Sequence, residues 1–234
     1  MNGKMPLTIV IPAHNEEESL PRTLDSLIKN VRFPNEILIV NDHSADRTAS
    51  VVKDFGKKYH NIKVVDNDTS AGFTNAIKKG FSEVTSGVVV LVMADSCDDP
   101  QTINLMYNKI LEGYDVVCGS RYMKGGEKIG GRFLQTLFSK VCGASLSFLT
   151  GIPTHDASNA FKMYKKEVLD AIKIEEAGFA SSLEIIVKLF HKGYKITEVP
   201  TIWKDRVAGK SNFRIFKVMI NYLKWYCWAY FKGF

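Results

Sequence analysis

Short apolar runs end in polar clusters four times in the first half of the chain. The runs are Leu7–Ile11, Glu36–Val40, Val88–Met93 and Asp115–Val117. Behind them stand Pro12-Ala13-His14-Asn15-Glu16, Asn41-Asp42-His43-Ser44, Ala94-Asp95-Ser96-Cys97-Asp98-Asp99 and Cys118-Gly119-Ser120-Arg121-Tyr122. A short apolar run that ends this way predicts a buried parallel strand feeding a loop. Val88–Met93 lacks polar alternation, as expected of a central strand covered on both faces. Helical spacing fills the gaps. Leu20, Leu24 and Leu27 mark a helix within 16–31, with Pro21 early enough for its first turn. Val51 and Val52 mark a helix to about Lys57, with Ser44 as the expected N-cap. Ser70-Ala71-Gly72 opens a helix through Ala76, Ile77 and Phe81, Asn61–Val65 is a short strand, and Asp99-Pro100 starts a helix to about Leu111.

This alternation predicts a mainly parallel sheet with helices on both faces, an α/β fold. Beyond about residue 120 the pattern becomes helix (133–149), strand (Phe161–Tyr164), helix (Ser181–Lys192) and strand (Lys195–Val199). No repeat or composition break divides residues 1–212. Ligands of open α/β sheets bind outside the carboxyl ends of the strands. One rim therefore gathers Glu16, Asp42, Asp95, Asp98 and Arg121, a set suited to a polar, phosphate-bearing ligand with a divalent metal.

Composition narrows the class. With 234 residues, 45% hydrophobic and 24% charged, the chain can bury a sizeable globular core. Its four cysteines form no CxxC pair, which argues against structural zinc and a disulfide framework and for a reducing environment. The five histidines show no metal-ligand spacing, and His14 and His43 read as loop residues. The polar start and short first apolar run predict no signal peptide. Residues 1–200 balance 24 basic against 24 acidic residues, so nucleic acid is not an expected partner. The surplus of +6 comes from 201–234, with seven basic residues against Asp205. Within that stretch, 213–234 hold nine aromatics, and Arg214, Lys217, Asn221, Lys224 and Lys232 follow one helical stripe. An amphipathic helix lying in a membrane interface is expected, with its aromatics at headgroup depth; a terminal helix packed on its own domain is the simpler alternative. Gly209-Lys210-Ser211 is not a P-loop, because Lys204 stands where the first glycine is needed. There is no GxGxxG.

Six segments in order carry a family resemblance: Val10-Ile11-Pro12-Ala13-His14-Asn15-Glu16, Val40-Asn41-Asp42-His43-Ser44, Ala94-Asp95, Gly119-Ser120-Arg121-Tyr122, Gly193-Tyr194-Lys195-Ile196 with Glu198-Val199-Pro200, and Arg206-Val207-Ala208-Gly209-Lys210-Ser211. From about Leu7 to Phe213 the chain resembles glycosyltransferase family 2, with its GT-A fold, and within it the dolichol-phosphate mannosyltransferases and other polyprenyl-phosphate glycosyltransferases.

The resemblance implies transfer of a hexose from a GDP- or UDP-linked donor to a polyprenyl phosphate, with inversion, at the cytoplasmic face of a membrane by a peripheral or monotopic enzyme. It implies donor contacts at Pro12, Ala13, Asn15, Glu16, Asn41, Asp42, Ala94 and Asp95. The simpler alternatives are a turn residue for Asp42 and a first-turn helix acid for Glu16. It implies Mg²⁺ or Mn²⁺ on the leaving diphosphate. The family's Asp-x-Asp is here Met93-Ala94-Asp95, and a thioether does not ligate a hard cation. Asp98 or Asp99 is the candidate second ligand, although Asp99 also suits the cap of the next helix. Arg121, Lys162, Arg206 and Lys210 are the phosphate candidates, Glu184 is an acceptor-side candidate, and Asp156 is the base if the acceptor is a hydroxyl. A family member acting on a saccharide acceptor, and a sugar-nucleotide sensor without activity, stay open, as does assembly into a homo-oligomer.

Overall fold

A computed structural model describes residues 5–206 and 215–231. Its elements run β1 (Leu7–Ala13), α1 (Leu20–Asn30), β2 (Asn35–Asn41), α2 (Thr48–Lys58), β3 (Ile62–Asp66), α3 (Phe73–Glu83), β4 (Val88–Leu91), α4 (Gln101–Leu111), β5 (Val116–Ser120) and β6 (Glu127–Ile129). There follow α5 (Phe133–Thr150), β7 (Lys162–Lys165), α6 (Lys166–Asp170), a 3-10 turn (Gly178–Ala180), α7 (Ser181–His191), β8 (Ile196–Pro200), β9 (Ile202–Lys204) and α8 (Ile215–Phe231).

Seven strands form one sheet in the order β3-β2-β1-β4-β7-β5-β8. β1 pairs parallel with β2 and β4, β2 with β3, and β5 with β8. Only β7 is antiparallel, between β4 and β5. The strands lack polar alternation because two cores cover them. Ile9, Ile11, Ile37, Ile39, Val88 and Val90 face one core with Leu20, Leu24 and Leu27 of α1. Val10, Leu38, Val40, Val89 and Leu91 face the other with Ala76, Ile77 and Phe81 of α3. Gly80 lets α3 lie close to the sheet, since a Cβ there would stand 2.4 Å from Val10 Cγ1.

Several expectations need correction. Glu16 precedes α1, which begins at Leu20. Ser44 does not cap α2; its hydroxyl instead accepts the Asn15 N–H (3.1 Å), and Asp46 Oδ1 accepts the Thr48 N–H (2.9 Å) at the helix start. The two-stranded ribbon β6–β9 was not expected, because three-residue strands carry too little pattern to read. The tail is helical as expected, but its burial differs. Tyr222, Trp225 and Ala229 are buried against the domain, with the Trp225 indole N–H donating to Glu176 (2.9 Å). Ile220, Leu223 and Phe231 stay exposed. Among the described residues no helix is long and apolar enough to cross a membrane.

α5 sits over the 155–156 backbone at Gly143, where a Cβ would lie 2.0 Å from the His155 carbonyl oxygen. Backbone cannot yield as a side chain end can. Gly143→Ala is therefore expected to cost about 3 kcal/mol, seen as a Tm lowered by roughly 6–12 °C in thermal unfolding. An unchanged Tm would mean that this contact does not hold α5 in place.

Candidate active site

A cleft of about 880 Å³ opens at the carboxyl ends of the strands. Three non-glycine residues at its edge adopt left-handed backbone: Asn15 (φ 54°), His43 (φ 55°) and Ser96 (φ 60°). Such conformations persist where surrounding contacts enforce them. Asn15 is held by its own N–H on Ser44 and by the Ala45 N–H donating to its Oδ1 (2.8 Å). Thr48 Oγ1 accepts the next N–H, from Glu16 (2.9 Å). The His14 Nδ1–H donates to the Asp42 carbonyl (2.6 Å), so its proton sits on that nitrogen.

Of the candidate site residues, Pro12, Ala13, Asn15, Glu16, Asp42, Asp95, Arg121 and Arg206 line the cleft, with Met93 beside them. Burial raises the pKa of Glu16, partly opposed by the hydroxyl of Ser19, which donates to its carboxylate. Asp42 accepts the Asn67 amide (2.7 Å) and the Gly72 N–H (2.9 Å), and so also shapes the loop before α3. Asn41 and Ala94 do not line the cleft. Asn41 donates to Asp66 (2.8 Å), and the Ala94 carbonyl accepts the Thr23 hydroxyl (2.9 Å).

Four expected roles are corrected by burial. Asp156 is fully buried and receives the Arg121 guanidinium on both oxygens (2.7 and 2.8 Å) as well as the Arg121 N–H (3.0 Å). It lies off the cleft with its lone pairs committed, which removes it as a free base. Burial disfavours the Arg121 charge, but Asp156 more than offsets this and keeps the guanidinium protonated. Arg121 thus reaches the cleft as half of an internal ion pair. Lys162 is fully buried, donating to the carbonyls of Ala157 and Asn159, and burial pulls its amine down to about 8. Glu184 is also fully buried; it accepts the N–H groups of Glu175 and Glu176 (2.8 Å each) and the Lys188 amine (2.6 Å). Neither reaches the cleft. Asp98 is buried off the cleft with Oδ2 on the Met93 N–H (3.4 Å), and burial raises its pKa to about 7. Asp99 accepts the Gln101 N–H (3.0 Å) at the start of α4, the capping role. Lys210 lies outside the described residues.

Other lining residues escaped the sequence reading. Lys128 comes from β6, Arg132 from the residue before α5, Gln135 and Phe138 from α5, Phe73 and Phe179 from α3 and the 3-10 turn, Trp203 from β9 and Tyr222 from α8. The only local signal was a Gly130-Gly131 break flanked by Lys128 and Arg132. Lys128 donates to Thr136 (2.7 Å) beneath the Trp203 ring, and burial lowers its pKa. Arg132 is exposed, and its side chain makes no hydrogen bond or ion pair among the described residues.

No three His, Cys, Asp or Glu side chains among the described residues are placed to hold a metal. Asp95 is one hard oxygen donor at the cleft. That donor set fits a cation completing its shell with diphosphate oxygens and water, as Mg²⁺ commonly does, rather than a protein cage.

The family model of glycosyl transferase family 2 matches residues 8–173, and the chain belongs to that family. The dolichol-phosphate mannosyltransferase of Pyrococcus furiosus is 30% identical over 227 residues, covering 94% of this chain and 62% of that one. The polyprenol monophosphomannose synthase of Mycolicibacterium smegmatis is 25% identical over 232 residues, covering 93% of this chain and 85% of that one. This chain thus spans about three-fifths of the length of the Pyrococcus relative. The crystal structure of glucosyl-3-phosphoglycerate synthase from Mycobacterium tuberculosis with Mn²⁺, UDP and glucosyl-3-phosphoglycerate superposes with a TM-score of 0.72. It is 17% identical and matches 98% of this chain and 80% of that one, so the two share the GT-A fold.

Two outcomes test this geometry. Arg121→Met strands a buried carboxylate and is expected to cost about 3–5 kcal/mol. Urea unfolding of Arg121→Met, Asp156→Asn and the double variant should give a non-additive coupling of about 1–3 kcal/mol; simple additivity would mean that the pair is not a unit. Asp98 has a folded pKa above the unfolded value of about 4. Its proton-linked stability is complete below that value and lost as pH rises through about 7. Asp98→Asn should flatten the fall of Tm between pH 4 and 8, and an unaltered slope would assign the titration to another group.

Proposed function

We propose that this chain moves a hexose, mannose or glucose, from a GDP- or UDP-linked donor to a polyprenyl or dolichyl phosphate, inverting the anomeric configuration. The observation that carries this reading is the polarity of the cleft. Glu16, Asp42 and Asp95 line the cleft from the strand ends, and Lys128 and Arg132 line it from the wall that carries the β6–β9 ribbon. That wall belongs to β6 and α5. The outer side of α5 leaves Phe133, Leu134, Leu137, Val141 and Phe148 exposed, and α8 adds Ile220, Leu223 and Phe231. Apolar surface on this scale marks a binding or membrane face. An anion attached to a long apolar chain matches cations beside apolar helices. The names of the Pyrococcus and Mycolicibacterium relatives point to the same acceptor class.

In this reading Asp42 and the backbone at Ala13 hold the nucleoside, with Glu16 beside them. Asp95 holds Mg²⁺ or Mn²⁺, which when bound supplies positive charge to the leaving diphosphate. Lys128 and Arg132 hold the acceptor phosphate. An acceptor phosphate oxygen bonds to the anomeric carbon as the bond from that carbon to the donor diphosphate breaks. The nucleophile is already an anion near neutral pH, so no general base is needed. This agrees with Asp156 being committed to Arg121 and disfavours a hydroxyl acceptor with Asp156 as base. We place this work at the cytoplasmic membrane face; the apolar side of α5 and α8 supports contact with a membrane.

Transfer from radiolabelled GDP-mannose and UDP-glucose, tested separately with extracted polyprenyl phosphate and Mg²⁺ or Mn²⁺, decides the reading. Label is expected in the lipid phase with one donor. Arg132→Ala should raise the KM for polyprenyl phosphate by about tenfold, the loss of one charge-assisted contact, with the donor KM unchanged. Donor hydrolysis, or transfer to added glycans without lipid product, would sink it.

A further inference from the structure

Asp95 does not wait with free oxygens. Its Oδ1 accepts the Cys97 N–H (3.2 Å), and its Oδ2 receives the Arg206 guanidinium (2.8 Å). Both side chains of this ion pair are largely buried, 22% exposed for Arg206 and 10% for Asp95. The backbone leading to Arg206 is fastened on two sides. The Lys204 N–H donates to the Cys97 carbonyl (3.0 Å), and Asp98 bridges to Trp203, so β9 is tied to the turn that carries Asp95. The Asp205 N–H donates to the Ile129 carbonyl (2.9 Å), and the Asp205 carboxylate accepts the N–H groups of Gly131 (3.1 Å) and Arg206 (2.9 Å). The guanidinium is thus delivered to Asp95 by a braced ribbon and is not a loose surface side chain finding a chance partner.

We propose that Arg206 is a built-in counter-cation for Asp95, which must yield that carboxylate before a divalent cation can use it. The inference rests on the reading above that Asp95 is the metal ligand. Two positive charges on one carboxylate oxygen repel strongly in a half-buried cleft. Arg206 therefore lowers the affinity of Asp95 for a cation when no donor is present. A diphosphate donor changes this balance, because its oxygens give the displaced guanidinium a new charged partner within the same cleft. Metal and donor then favour each other's binding, and the effect is reciprocal. The departure from Asp-x-Asp fits this arrangement: with Met93 in the first position, a single carboxylate can be neutralised by a single guanidinium.

The test is Mn²⁺ binding to the full chain without nucleotide, read from the electron paramagnetic resonance signal of free Mn²⁺. Arg206→Gln is expected to tighten Mn²⁺ binding by about fivefold or more, the upper range for a partly exposed ion pair. Arg206→Lys keeps the charge and should stay near the wild-type affinity. Adding Asp95→Asn to Arg206→Gln should abolish the gain. Unchanged or weaker Mn²⁺ binding in Arg206→Gln overturns the counter-cation role while leaving Asp95 as ligand. Mn²⁺ binding that is indifferent to Asp95→Asn overturns both the counter-cation role and the metal assignment on which it rests.

Discussion

Parallel strands covered on both faces constrain everything else in this molecule. β1 is buried along its whole length between β2 and β4, so a polar group on either of its faces needs an internal partner. Polar chemistry is therefore pushed to the strand ends. Because β1, β2 and β4 run in the same direction, their carboxyl ends share one edge. The left-handed residues Asn15, His43 and Ser96 turn the chain away from the sheet at that edge. Hydrogen bonds between neighbouring loops, such as Asn15 to Ser44 and Glu16 to Thr48, keep those turns in place. The cleft follows from the sheet direction before any ligand is considered.

Burial then sorts the charged residues. A buried charge is tolerated only with partners, and Asp156, Lys162 and Glu184 are each saturated by neighbours. These three brace the scaffold: Asp156 fixes the end of β5, Lys162 fixes the turn before β7, and Glu184 fixes the segment between α6 and α7. Charges at the cleft are held differently. Lys128 leans on Thr136, Arg132 is exposed, and Arg206 is lent to Asp95. A phosphate can recruit Lys128 and Arg132 without breaking a buried ion pair, whereas Arg206 leaves Asp95 only in exchange for another cation.

The helices α5 and α8 join the two halves of the proposed reaction. Each contributes one side to the domain and leaves apolar residues outside. On α8, Tyr222 lines the cleft while Leu223 and Phe231 face outward. On α5, Phe138 lines the cleft while Leu137 and Val141 face outward. In the proposed function, a cleft wall and an apolar surface made from the same helices would bring an amphiphilic acceptor to the site.

The sequence by itself determined the class of fold and the strand-end part of the site. Each long strand and helix carries its own periodicity, and each strand-end cluster follows its strand directly, so Glu16, Asp42 and Asp95 were legible locally. Tertiary structure decided what was not local. The pairing of Arg121 with Asp156 spans 35 positions and that of Arg206 with Asp95 spans 111, and neither leaves a periodic trace. Lys162 and Glu184 looked available because a sequence shows charge but not depth. The cationic wall at Lys128 and Arg132 was missed because strands of three residues have no readable period and take their place only when β9 returns to pair with β6. Which side of α8 faces the domain was likewise fixed by Glu176 and the Trp225 indole, a contact made across 49 positions.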